Sequence, residues 1–195
     1  MKRLILSIIA VFTIGSAAQA AEWNIDTYHT NALFSIRHLM VSDVQGMFPE
    51  VRGVVNFDEK DITKSSVKVE IDVASVNTGV AQRDSHLKTA DFFDLAKYSK
   101  MTFVSKKVSK NSDGTLAVTG DLTIRGVTKE AVLKVEGPTE AVTDPWGNKR
   151  RGAKAYTVIN RNDFGVSWNG LMDNGGLQVG NEVKITIDME MTEKK

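Results

Sequence analysis

No cysteine occurs anywhere in the 195 residues. That excludes disulfides, thiolate metal ligands and a cysteine nucleophile, and leaves neither lipoprotein acylation nor haem attachment through C-x-x-C available. Histidine is nearly as scarce. His29, His38 and His86 are widely separated and form no H-x-x-x-H pair, so no metal site is expected. Neither a G-x-S-x-G nucleophile elbow nor a glycine-rich phosphate loop is present. An excess of one charge is lacking too: 25 basic against 24 acidic residues leave a formal charge of +1. Such a chain has no electrostatic case for nucleic acid or for an anionic membrane surface. Beyond residue 20 there is no apolar run long enough to span a bilayer, so no stable membrane insertion is expected.

What is present begins with an export signal. Lys2 and Arg3 precede an apolar stretch over 4–15, and "SAAQA" then supplies small residues, Ala18 and Ala20, where a signal peptidase reads them. Cleavage is expected between Ala20 and Ala21, leaving one domain over 21–195. Loss of Lys2 and Arg3 takes the formal charge from +1 to −1. An exported chain without disulfides must draw its stability from a packed core, and it fits a bacterial periplasm.

Period-two alternation dominates the remainder. Over 66–73, Val67, Val69, Ile71 and Val73 share one face and Lys68, Glu70 and Asp72 the other. Near the C-terminus Val183, Ile185, Ile187, Met189 and Met191 alternate with Lys184, Thr186, Asp188 and Glu190. Shorter alternations mark 51–57, 101–108, 116–124, 131–135 and 153–159, and Trp23 with Ile25 opens the series. "NSDG" at 111–114 and "DPWGN" at 144–148 carry hairpin-turn chemistry, because Gly and Asn tolerate positive φ. About eight evenly spaced strands, each with one apolar face, predict an all-β antiparallel barrel or a sandwich. No repeat or low-complexity segment interrupts them.

Three stretches depart from this pattern. "NALFSIRHLMVSD" at 31–43 reads as one strand, with Ala32, Phe34, Ile36, His38 and Met40 on one face and Arg37 on the other. His38 among apolar neighbours is either a satisfied core histidine or a ligand contact. Arg37 needs an acid, expected from the segment 80–98. That segment, "VAQRDSHLKTADFFDLAKY", lacks alternation and is expected to hold a short helix or long ordered loop, the kind of insertion where function concentrates. Within it, Arg83-Asp84 reads first as an ion pair fixing the loop, although His86 beside carboxylates has the makings of a general base. In "INRNDFGVSWNG" at 159–170, Asn160 and Arg161 offer donors at a strand end, and Phe164 and Trp168 offer apolar faces.

Taken in order, "WNIDTYHTNALFSIRHLMVSDVQGMF", "VASVNTG", "RDSHLKTADFFD", "YSKMTFVS", "VTGDLTIRGVTKEAVL" and "INRNDFGVSW" resemble one family, the YceI-like proteins, which bind lipids or polyisoprenoids. The likeness spans 21–190. Ser99 departs from the proline more usual in the family before that strand, which touches strand entry rather than function.

The resemblance implies a lipocalin-like extended antiparallel β-barrel of about eight strands, with the insertion at 80–98. It implies a long-chain isoprenoid held inside, of quinone or polyprenyl phosphate type, for transport, storage or stress response. No cofactor beyond that lipid, no catalytic residue and no metal is implied, and a homodimer stays open. On this reading His38, Arg83, Asp84, His86, Asn160 and Arg161 are expected at the head-group end. The apolar lining is expected from Phe34, Ile36, Met40, Phe103, Leu122, Ile124, Phe164 and Trp168. Two alternatives stand beside it: an enzyme acting on a polyprenyl phosphate or quinone through Arg83, Asp84 and His86, and a stress-response barrel whose lipid is incidental.

Overall fold

A computed structural model describes residues 21–173 and 175–195. The expected signal segment, 1–20, lies outside the described residues. The strands are β1 (Ala21–Ile25), β2 (Asn31–His38), β3 (Ser42–Phe48), β4 (Val51–Phe57), β5 (Ser66–Asp72) and β6 (Lys100–Lys110). They continue as β7 (Leu116–Ile124), β8 (Val127–Glu136), β9 (Val142–Thr143), β10 (Lys149–Asn160) and β11 (Val179–Glu193). One helix, α1 (Ala81–Leu87), and three short 3-10 turns complete the described elements.

Every pairing is antiparallel, and the order β11-β1-β4-β5-β6-β7-β8-β10 returns to β11 through the β10–β11 ladder. Eight strands therefore close into a barrel, the number at which the interior can hold side chains or one small ligand. Between barrel and sandwich, the barrel is realised. The hairpin β2–β3 lies outside this ring. It pairs with β11 over Val179 to Asp188, where β1 no longer runs, and so extends the wall at one end.

The alternation explains the wall. Val69 pairs with Phe103, and Phe103 with Leu122, so large apolar groups stack across β5, β6 and β7 on the inner face. Outer positions carry cross-strand ion pairs such as Lys154–Asp188 (2.8 Å) and Lys100–Glu70 (2.5 Å). At an exposed surface these contribute little to stability. Trp23, at 1% exposure, and Val51 anchor the main buried cluster. The turns at 111–114 and 144–148 join β6 to β7 and β9 to β10, as their chemistry predicts.

The expected single strand over 31–43 is corrected. β2 ends at His38, and the chain reverses through Leu39 (φ 48°) and Met40 (φ 60°) into β3. The Val41 N–H donates to His38 O at 3.1 Å, closing a type I′ turn, whose two central residues both need positive φ. Leu and Met are poor residues for that conformation, which is why alternation ran through the turn unnoticed. Opposite, Gly46 of β3 lets the Phe34 ring lie flat on the strand. A Cβ there would stand 2.8 Å from Phe34 Cε1 and from Thr78 Cγ2.

Candidate ligand-binding site

Inside the barrel, toward the end where β2 turns into β3, lies an apolar cavity of about 340 Å³. That falls within the range of roughly 300–1,000 Å³ of small-molecule sites. Phe34 and Ile36 from β2, Phe103 from β6 and Leu122 and Ile124 from β7 line it, as do Phe164 and Trp168, all seven as expected. Met40 does not. It sits in the turn beyond β2, 56% exposed, because positive φ carries its side chain off the strand face.

The roof comes from the insertion. α1 is the short helix expected in this segment and ends at Leu87, yet Leu87, Phe92 and Phe93 all reach the cavity. Phe93 meets Phe48 edge-on at 5.6 Å, and Phe48 meets Phe34 at 5.7 Å. On the other side His86, Phe92 and Trp168 form a triangle of rings with centroids 5.0 to 5.3 Å apart. Phe92 lies beyond the end of α1 at Leu87, so no helical period marks it as lining. Val183, Ile185 and Ile187 also line the cavity, and the alternation of β11 had already placed them on one face.

Of the six residues expected at the polar end, four reach the cavity: His38, Arg83, His86 and Arg161. Asp84 and Asn160 do not, and both have local duties. Asp84 Oδ1 accepts from the Thr78 N–H (2.8 Å) and hydroxyl (2.5 Å). Asn160 Oδ1 accepts from the Asn162 N–H (3.0 Å) and so caps the 3-10 turn Arg161–Phe164. The expected Arg83–Asp84 ion pair is replaced by a joint clamp on Thr78. Arg83 Nε donates to Thr78 Oγ1 (2.8 Å) and its Nη2 to Thr78 O (2.9 Å). Arg37 finds its acid in Asp43 on β3, the residue opposite it in register, at 3.4 Å, rather than in 80–98. It also donates to Met40 O.

Among the described residues Arg161 is the most buried charge, 4% exposed. Its Nε donates to Gly180 O (2.8 Å), Nη1 to Val166 O (2.7 Å) and Trp168 O (2.9 Å), and Nη2 to Val179 O (3.3 Å). Burial pushes its pKa down from 12.5. The guanidinium fork thus ties the start of β11 to the loop after the 3-10 turn. Among the described residues neither Arg161 nor Arg83 forms an ion pair with a carboxylate, whereas His86 Nε2 donates to Asp91 Oδ2 at 2.8 Å. His38 lines the same end with no side-chain hydrogen bond to a described residue. The site therefore pairs an apolar body with cationic groups at one end.

A second polar cluster lies at the opposite end of β2. Arg150 donates to Asp26 (2.6 Å), Asp144 (2.7 Å) and Glu190 (2.5 Å), and His29 Nδ1 bonds Asp26 at 2.9 Å, fixing the turn after β1. Asp26, His29 and Glu190 bring potential ligand atoms within 4.8 Å of one another, but the Arg150 guanidinium already bridges the two carboxylates.

A YceI-like domain model matches residues 23–191. A protein named YceI from Escherichia coli O157:H7 is 42% identical over 158 residues, covering 80% of this chain and 81% of the relative. The crystal structure of a Campylobacter jejuni YCEI protein, 32% identical, superposes with a TM-score of 0.67 over 82% of this chain and 91% of that one. A polyisoprenoid binding domain from Saccharophagus degradans shares the fold with a TM-score of 0.64 over 90% of this chain and 100% of that one, at 16% identity.

Proposed function

The chain belongs to the YceI-like family, and from that premise we propose that it binds a long-chain isoprenoid lipid, of quinone or polyprenyl phosphate type, as a periplasmic carrier or store. The observation that carries this reading is the apolar cavity with Arg83, Arg161 and His38 at one end. Apolar walls hold the tail, and Arg83, whose Nη1 makes no hydrogen bond to a described residue, is the donor left for an oxygen-rich head. The polyisoprenoid binding attributed to the Saccharophagus degradans domain agrees with this class of ligand, though that likeness itself speaks for the barrel.

The energetics favour a long tail. Association costs about 4–15 kcal/mol, and each buried methylene returns about 0.8 kcal/mol. Roughly ten buried methylene groups are needed before binding is favourable, which a long prenyl chain supplies and a short head group does not. Binding is favoured over turnover because Asp84, the carboxylate beside Arg83 in sequence, is spent on Thr78.

The test is organic extraction and mass spectrometry of protein purified from its own host without added lipid. A co-purifying prenyl lipid in near-stoichiometric amount is expected. Protein that yields no lipid and also fails to bind added solanesol would overturn the reading.

A further inference from the structure

The interior holds two apolar pockets that share part of their lining. Beyond the 340 Å³ cavity lies a second apolar chamber of about 100 Å³, toward the end where Trp23, Val108 and Leu116 sit. Four residues line both: Val69 of β5, Phe103 of β6, Leu133 of β8 and Ile187 of β11. Coming from four strands around the ring, they form a belt between the chambers. Phe103 is its largest member, 6% exposed. Its backbone pairs with Leu122, yet its ring leans away from the larger chamber: a Cβ on Gly120 would stand 2.6 Å from Phe103 Cζ. The glycine leaves the ring room on the wall, where Phe103 packs in one cluster with Val108 and Val118 and against Leu122.

We infer that Phe103 sets the length of tail the barrel accepts, the belt being the floor on which the tail ends. This rests on the binding reading above. A tail longer than the first chamber must leave its excess in water, so affinity rises with length and then levels off. With the ring removed, the second chamber joins the first and further methylenes are buried. Each is worth about fourfold in affinity, so two already exceed tenfold.

The experiment measures affinities of geraniol, farnesol, geranylgeraniol and solanesol for the wild type and for Phe103→Ala, Leu133→Ala and Val108→Ala. The wild type is expected to level off along the series. Phe103→Ala should continue to gain, by about tenfold for the prenols beyond the wild-type plateau. Leu133→Ala opens the same belt at a less buried position and carries the test if Phe103→Ala does not fold. Val108→Ala enlarges only the second chamber and should keep the wild-type plateau. A wild type that binds no prenol sinks the binding reading and this one together. A wild type that binds, with Phe103→Ala and Leu133→Ala both keeping its plateau, overturns the role of the belt alone, as does a Val108→Ala profile matching theirs.

Discussion

Replacing Arg161 with methionine keeps the length and apolar stem of the side chain and removes its donors. Four backbone carbonyls then lose a donor: those of Gly180, Val166, Trp168 and Val179. Val179 O keeps Asn169 Nδ2 at 2.7 Å, so the loss falls on the other three. A hydrogen bond from a charged donor contributes about 1.5–3 kcal/mol, and a desolvated orphan acceptor costs about 1–3 kcal/mol. Against this stands relief from holding a cation at 4% exposure with no carboxylate beside it, several kcal/mol in the opposite direction. The balance is a loss of about 3–5 kcal/mol, a large share of a typical total of about 5–15 kcal/mol. Urea unfolding followed by tryptophan fluorescence measures it, since Trp168 packs beside the carbonyls concerned. Arg161→Lys keeps the charge, but one ammonium cannot span four carbonyls, so it should recover about half of the loss. A methionine variant within about 1 kcal/mol of wild type would refute the idea that the fork holds this end of the barrel. A lysine variant equal to wild type would show that charge, not fork geometry, matters.

Two further outcomes follow from the polar cluster and the hairpin tip. Burial alone would push the Asp26 carboxyl up, but hydrogen bonds from His29, Arg150 and the Tyr28 N–H outweigh it and hold the pKa at about 2, below the ordinary 3.8. Its stabilisation is therefore complete above pH 3.8 and lost as pH falls through about 2. Asp26→Asn should flatten that part of the melting-temperature profile, and an unchanged acid limb would count against the assignment. At the tip, Leu39→Asn with Met40→Gly relieves two left-handed residues and should raise stability by about 1 kcal/mol, part of the gain being offset by glycine's unfolded-state entropy. A lower denaturation midpoint would show that the apolar tip itself stabilises the fold.

The barrel was legible wherever one face of a strand is wet and the other dry. β5 and β11 each announced their inner residues, and seven of the eight expected lining groups reach the cavity because strand parity alone decides which way they point. Met40 failed for the same reason: parity says nothing once the chain turns, and neither Leu39 nor Met40 carries turn chemistry. The polar residues were harder to place, since their partners are distant in sequence or belong to the backbone. Arg161 read as a free donor, yet the carbonyls that hold it belong to the loop after the 3-10 turn and to the start of β11. Asp84 was adjacent to an arginine in sequence and still chose Thr78, because α1 points the two side chains at the loop it follows. Phe103 was legible as lining, but its place between two chambers depends on Gly120, which only the β6–β7 register brings beneath it.

The seam of the ring joins the first strand to the last. Trp23 faces Glu193, Ile25 faces Met191, and Lys194 Nζ reaches Glu22 Oε1 at 2.6 Å. Local hairpins such as β6–β7–β8 can form while the chain is still being made, but β1 has no partner on that edge until β11 arrives. Closure therefore spans almost the full sequence separation the chain offers, the arrangement that slows folding most. Until then an apolar sheet face stands open to any binding surface nearby, and a chain cut before β11 keeps it open permanently. The same seam brings residues 22 and 194 side by side, so a short linker could join them and new ends could be opened at the turn 111–114 without altering the wall.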